Sequence, residues 1–388
     1  MEIKKNTLIL GILFLILVYL ANLFIFVTFY KIINVSTNFW EFLLPFIITL
    51  YFPILVYICY NINEEMYCIT YHISMIYLGY LLYTFLVALP LRFFDTFINF
   101  RPWIGLILLF IPSLIICIYG YFNANSTKVQ KITLKNEKYS GKIKILHLTD
   151  IHLGPIYQNK SSQKIVNEIN SLNPDIVIIT GDFVDGTLKI SQEMLNPFDT
   201  LTIPILYVTG NHEVMYGKEE FLKLISNTRI KHIGNSNFEY KNVNFIGADW
   251  EDDLDSIIYK NKDNNNVNVL VAHAPLKFPS DLIDSNIFLM LCGHTHGGQL
   301  FPFNVFAYFF NRCFKGLYST TDEKNPRFVY VSEGVNTAMV PMRVGSHRIF
   351  GLITIEGEKK IDEKMDNFNE KIDEKNNLIE SNNFDEKY

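Results

Sequence analysis

The sequence predicts an α-helical membrane domain of about four transmembrane helices, followed by an α/β domain built as a mixed β-sandwich flanked by helices. Three observations predict it. Long apolar runs fill the first third of the 388 residues. From Lys142 onward, short apolar runs alternate with polar, helix-like stretches, as strands and helices do in turn. Several of those short runs end in clusters of Asp, His, Asn and Gly, so that the chemistry gathers on one rim of a sheet.

Asn6 to Tyr30 holds almost no polar side chain. Its length suffices to cross the roughly 30 Å of bilayer hydrocarbon as a helix, and it exceeds the core of a cleaved signal peptide. Similar runs cover Phe42 to Tyr60, Ile69 to Leu89 and Trp103 to Phe122, giving a multi-pass membrane domain over residues 1–122. Lys4 and Lys5 precede the first run and Lys128, Lys131, Lys135 and Lys138 follow the fourth, which places both ends on the cytoplasmic face. Lys31, Arg92 and Arg101 oppose that bias; Glu64 and Glu65 lie in a loop without a base.

Residues 123–141 are polar with spaced Lys and read as a linker with an edge strand around Lys131 to Leu134. The α/β domain then spans 142–356. It opens with a β-α-β unit: Ile143 to Leu148, a helix capped at Ser161 or Ser162 and running to Leu172, and Ile176 to Ile179. Further strands are expected at Ile205 to Val208, Val243 to Ile246, Val267 to Val271, Ile287 to Leu291, Phe328 to Val331 and Ile349 to Ile355. The tail, 357–388, is charged and reads as disordered. An amphipathic spacing through Ile361, Met365, Phe368, Ile372 and Ile379 offers the alternative of a short helix for self-association.

The five cysteines show no CxxC or framework spacing, which argues against a disulfide scaffold. The net charge of −5 comes without a basic stripe carrying interleaved aromatics, so nothing points to nucleic acid.

The strand ends carry Asp150-x-His152, Gly181-Asp182-x-x-Asp185, Gly210-Asn211-His212-Glu213, His273 and Gly293-His294-x-His296. A lone His or Asp at such a place is most often a turn former or a satisfied polar group. The ordered combination is different, because a pair of neighbouring cations needs a shared carboxylate and Asp182 is suited to be one. Oxygen and nitrogen donors without thiolate fit two divalent ions of manganese, iron or zinc.

These blocks resemble the calcineurin-like metallophosphoesterase superfamily. Gly297-Gly298-Gln299, Tyr330-Val331-Ser332-Glu333-Gly334 and Pro341-Met342-Arg343 resemble its bacterial transmembrane subgroup. The resemblance covers roughly Lys142 to Ile355 and departs at Glu333 to Asn336, where relatives tend to carry a basic residue and an extra glycine. It implies that Asp150, His152, Asp182 and His296 hold one ion and Asp182, Asn211, His273 and His294 the other. It also implies a metal-bridging hydroxide as nucleophile, with His212 as proton donor to the leaving group and Glu213 or Asp185 orienting it.

For substrate, the apolar run Phe301 to Phe310 after the last motif reads either as a lipid-facing lip or as a buried loop. Arg312, Lys315 and Arg343 are candidate phosphate contacts. A lipid-linked phosphodiester or pyrophosphate follows from the membrane anchor, with UDP-2,3-diacylglucosamine as the example that relatives cleave. The alternatives are a phosphomonoesterase or phosphoprotein phosphatase, and a non-enzymatic membrane scaffold.

Overall fold

The computed structural model describes residues 2–36, 39–98, 100–322 and 325–357. The tail beyond Gly357, with its expected disorder or helix, lies outside the described residues.

Four helices begin the chain: α1 (Glu2–Ile32), α2 (Trp40–Ile62), α3 (Glu64–Asp95) and α4 (Pro102–Asn125). Each is long and apolar enough to cross a membrane. Leu8, Leu17, Phe42, Tyr57, Ile115 and Phe122 stand exposed around the bundle, as lipid-facing side chains would. Inside it, Ile25, Leu81, Ala88 and Leu109 form a small core, and Lys31 pairs with Asp95 at 3.0 Å.

The edge strand expected around Lys131 to Leu134 is present and longer: β1 (Thr127–Asn136) has ten residues and starts two residues after α4 ends, taking up much of the stretch read as a linker. Its polarity reflects its place: it is the outermost strand of a sheet, with most of its side chains only partly covered. The remaining strands of that sheet are β2 (Lys142–Leu148), β3 (Ile176–Thr180), β4 (Ile205–Val208), β5 (Ile230–His232) and β12 (Arg348–Gly357), in the order β1-β12-β2-β3-β4-β5. The second sheet runs β10 (Gly316–Ser319), β11 (Phe328–Val331), β9 (Ile287–Cys292), β8 (Val267–Val271), β7 (Val243–Gly247) and β6 (Ser236–Tyr240). Strands β2, β3 and β4 pair in parallel, as do β7, β8 and β9, so in each sheet three strand ends point the same way.

The sheets face each other through Ile145, Ile178 and Val208 on one side and Phe245, Val269 and Leu291 on the other. The outer face of the first sheet is covered by α5 (Asn159–Leu172), through Ile165 and Ile169, and by α7 (Lys218–Ile225), through Phe221 and Ile225. The outer face of the second packs on α8 (Leu254–Asn261) through Ile257 and Ile258. This is the mixed sandwich flanked by helices. Helix α5 starts earlier than expected, with Gln158 as its cap, because the Gln158 carbonyl already accepts from Ser161 N and Ser162 N. Its other end stops at Asn173, in left-handed backbone at φ 45°.

Candidate metal centre

Every motif lies just past the carboxyl end of a strand. Asp150 and His152 follow β2, Asp182 follows β3, Asn211 opens the short helix α6 (Asn211–Tyr216) after β4, His273 follows β8, and His294 and His296 follow β9. The two sheets therefore supply the site jointly. At these ends the chain leaves ordinary strand geometry: Asp150, His152, Asp182, His294 and His296 all have positive φ, between 48° and 70°. Such conformations are unfavourable for non-glycine residues and persist only where surrounding contacts hold them. Gly181 is required at its place, since at φ +79° an added Cβ would lie 2.7 Å from both Gly210 N and His273 Nδ1.

The donor atoms converge. His296 Nε2 lies 3.2 Å from Asp150 Oδ1 and 3.1 Å from His152 Nε2. On the other side, His273 Nε2 lies 3.1 Å from Asp182 Oδ2 and 3.2 Å from His294 Nδ1. Asp182 Oδ2 is also 4.0 Å from His152 Nε2, so this carboxylate sits between the two groups. Ligands bound about 2.1 Å from one cation stand about 3.0 to 3.4 Å apart in octahedral to tetrahedral arrangements, which these spacings match. Asp150, His152 and His296 form one cluster able to hold an ion, and Asp182, His273 and His294 another.

Burial sharpens that fit. Asn211 Oδ1 is buried with no hydrogen-bond partner, and Asp150 Oδ1 is buried facing only imidazole nitrogens, an arrangement that is costly unless a cation takes the lone pairs. Burial alone would raise Asp150, but the imidazoles of His296, His273 and His152 hold it well below the usual carboxylate range. Asp182 behaves the same way, burial opposed chiefly by His273, and falls to about 2. Burial, reinforced by His296, lowers His152 to about 3; burial and His273 also lower His294. At neutral pH the two carboxylates are thus ionised while His152 and His294 are neutral, a donor set suited to divalent ions. His273 differs: against burial, Asp182 raises it to about 9, and its Nδ1 hydrogen-bonds the Thr180 carbonyl at 2.7 Å. That bond leaves Nε2 to face Asp182.

Residues 143–298 match the family profile described as Calcineurin-like phosphoesterase, an interval that contains every one of these donors. The chain carries a calcineurin-like metallophosphoesterase domain. It is 30% identical over 227 residues to an uncharacterized metallophosphoesterase of Helicobacter pylori strain J99, covering 56% of this chain and 60% of that protein. It is 32% identical over 232 residues to a Bos taurus transmembrane protein with metallophosphoesterase domain, covering 53% and 51%. An uncharacterized metallophosphoesterase of Aquifex aeolicus is 28% identical over 258 residues, covering 62% of this chain and 96% of that one. The chain thus spans about half to three fifths of the length of the first two relatives.

Around the donors of the metallophosphoesterase domain, the supporting residues have distinct jobs. His212 is partly open, with Nε2 3.9 Å from Asp182 Oδ2, and its Nδ1 donates to the Asp185 backbone carbonyl at 2.5 Å. The expected orienting role of Asp185 is therefore filled by its main chain; its carboxylate, raised by burial, accepts from the Thr187 hydroxyl. Glu213 is fully buried and touches no open space. Its carboxylate accepts from Gly210 N at 2.6 Å, Asp182 N at 3.0 Å, Phe183 N at 2.7 Å and Val184 N at 3.2 Å, fastening two ligand loops together. Burial and the Asp182 charge push it up to about 7 despite these donors.

Arg343, expected as a phosphate contact, is buried to 0% exposure and does not face the site. Its guanidinium donates to the carbonyls of His296, Gly334 and Asn336 and to Ser346 Oγ, so it braces a ligand loop from beneath. The departure at Glu333 to Asn336 has the same character: Val335 N and Asn336 N donate to the carbonyls of Thr149 and Asp150. Lys315 Nζ contacts Glu333 Oε2 at 3.4 Å and the Gly345 carbonyl at 3.2 Å. Arg312 is exposed and pairs with Asp281 at 3.2 Å.

Two contributors carried no motif. Asp249 accepts from Thr209 N at 2.8 Å and pairs with His232 and Lys218 at 3.0 Å each, tying down the strand end that leads to Asn211. Trp250 packs its ring against His273 and His294, with centroids 5.7 and 5.1 Å away. An Asp-Trp pair directly after an apolar strand was the available signal; His232 is the other half of one Asp249 pair.

Proposed function

We propose that this chain is a membrane-anchored, dinuclear-metal-dependent phosphoesterase that hydrolyses a phosphodiester or pyrophosphate bond in a lipid-linked substrate, with its catalytic domain on the cytoplasmic face. The observation that carries the proposal is the pair of donor clusters meeting at Asp182 Oδ2, with the buried Asn211 Oδ1 lacking a partner beside them.

Asp150, His152, Asp182 and His296 would hold one divalent ion, and Asp182, Asn211, His273 and His294 the second, as manganese, iron or zinc. Bound there, the ions would supply an acidified water and offset charge on the phosphoryl group. In the hydrolysis, water oxygen bonds to phosphorus, the bond to the leaving oxygen breaks, and a proton must reach that oxygen. His212 is the residue placed to deliver it: Nε2 faces the centre while the Asp185 carbonyl fixes the ring through Nδ1. Glu213 and Asp185 are positioning residues. They hold the Asp182 and Asn211 loops and the His212 ring without reaching substrate.

The lipid-linked substrate is supported by how closely the apolar helices approach the site. Asn123 at the end of α4 donates to the carbonyls of Arg343 and Ser346, and Arg343 N donates to Gly120 O. Phosphorus NMR of detergent-solubilised, manganese-loaded protein with UDP-2,3-diacylglucosamine tests the reading. Release of UMP and lipid phosphate is expected; an unchanged spectrum from protein shown to hold two metals per chain refutes this substrate. The cytoplasmic placement fails if an impermeant reagent labels a cysteine added at the C-terminus in intact cells.

A further inference from the structure

The metal-ligand loop continues directly into a short helix, α9 (Phe303–Phe310), with sequence Phe-Asn-Val-Phe-Ala-Tyr-Phe-Phe and no buried residue. Phe303, Phe306, Tyr308, Phe309 and Phe310 are 51%, 56%, 62%, 76% and 84% exposed. An apolar patch of this kind on a water-facing surface marks a contact with something else. Of the two readings of this run, lipid-facing lip or buried loop, the buried loop does not hold.

What covers α9 follows from its attachment. Leu300, three residues before it, is buried in one cluster with Tyr83 of α3, Cys117 of α4, Val340 and Met342. Gly79 and Gly120 open the helix surfaces to this segment, since a Cβ at either would meet Met342. Cys117 lies eight residues, or about 12 Å, before the end of α4. The cluster that buries Leu300 thus includes α4 a full two turns before that helix ends, within a span whose outer face is itself apolar. Helix α9 is also fixed in place: Gly298 packs against the Asn304 backbone so closely that no side chain fits between them, and Asn304 N donates to the Leu300 carbonyl at 3.3 Å. A bilayer around the exposed faces of α3 and α4 would therefore come close to α9.

We propose that α9 is a non-spanning helix immersed in the bilayer interface beside the metal centre, and that the site takes phosphate groups presented at headgroup level by membrane-resident lipids. The proposal rests on the reading that α1–α4 cross a bilayer. Arg312 and Lys315, which follow α9 within five residues, are the cations that would meet the headgroup layer.

The five native cysteines are buried, so single cysteines introduced at Phe309, at Tyr51 in α2 and at Tyr259 in α8 can be labelled selectively in the full chain. Tyr51 is 55% and Tyr259 81% exposed. Each variant would carry an environment-sensitive fluorophore in phosphatidylcholine–phosphatidylglycerol vesicles containing, in separate preparations, a lipid with a nitroxide near its ester group, to report on 309 and 259, or near its chain end, to report on 51 at the middle of α2. The expected result is at least about threefold stronger nitroxide quenching at 309 than at 259, with loss of quenching by aqueous iodide. Quenching at 51 but not at 309, with iodide reaching 309, overturns the proposal while leaving the spans intact. A label at 309 shielded from both quenchers identifies a protein contact instead and also overturns it. Absence of lipid quenching at 51 removes the spanning premise and the proposal with it. None of these readouts depends on hydrolysis, so they separate the placement of α9 from the phosphoesterase reading.

Discussion

Replacing Glu213 by Gln changes one atom and should dismantle the metal centre. Each carboxylate oxygen accepts two backbone donors, Gly210 N and Asp182 N on one, Phe183 N and Val184 N on the other. An amide has a single oxygen, so in either orientation its NH2 group confronts two N–H donors that then have no acceptor. At about 1–3 kcal/mol for each stranded buried donor, the gross loss is roughly 2–6 kcal/mol, and the net loss is smaller because the neutral amide is spared the burial and the Asp182 repulsion that raise the carboxylate. For a domain of this size the gross figure corresponds to a fall in Tm of roughly 4–24 °C. The measurement belongs at pH 8, above the value of about 7 to which burial and Asp182 raise the group, where the native carboxylate is ionised. Differential scanning fluorimetry of the metal-free full chain reads stability, and plasma mass spectrometry of the reloaded protein reads metal content. Because Asp182 N and Gly210 N belong to the two ligand loops, bound metal should fall below two per chain. A Tm within about 1 °C of the parent, with two metals retained, would refute the fastening role; Glu213 would then be no more than a favourable charge at the start of α6.

Three further outcomes follow from the same geometry. His212→Ala should lower turnover of an ester with a poor leaving group by about 10²- to 10⁴-fold and spare one with a good leaving group, at unchanged metal content; equal losses on both would remove the proton-donor role. Asp249→Asn should cost about 1–3 kcal/mol at neutral pH by weakening the contacts to Thr209 N, Lys218 and His232, the last two of which are 30% and 27% exposed so that water takes up part of the loss. Burial alone would raise Asp249, yet His232, Thr209 N and Lys218 hold it below its ordinary value, so its contribution is present above about pH 4 and is lost as pH falls through the depressed native value. Melting curves taken from pH 7 to pH 2 should show that acid-labile part in the parent and not in the variant. Chelation of bound metal should lower stability by about 2.7 kcal/mol if the free ion stood at about a hundred times its Kd, and Asp182→Ala should abolish the chelator-sensitive increment; an identical chelator response in that variant would contradict a shared ligand.

Much of the site was legible in the sequence because its parts are local. Asp150 and His152, Gly210 through Glu213, and His294 and His296 each combine with an apolar run just before them, and a strand end can be read over six residues. What Arg343 does was not legible. Its place in a Pro-Met-Arg run suggested a cation for phosphate, whereas its four acceptors lie on segments from His296 to Ser346 that meet only in the folded chain. Asp249 escaped for the same reason, its partners lying 17 to 40 residues away.

By itself, then, the sequence determined the kind of molecule: apolar runs long enough for a bilayer, strands of period two, and a donor set of oxygens and imidazoles, all properties of residue type and spacing within a few turns. Tertiary structure decided which donor atoms come within reach of one another and that the edge strand extends from Thr127 to Asn136. It also decided that Phe303 to Phe310 face outward. Burial and hydrogen-bond partnership are set by segments distant in the chain, and neither leaves a periodic trace in the sequence of one segment alone.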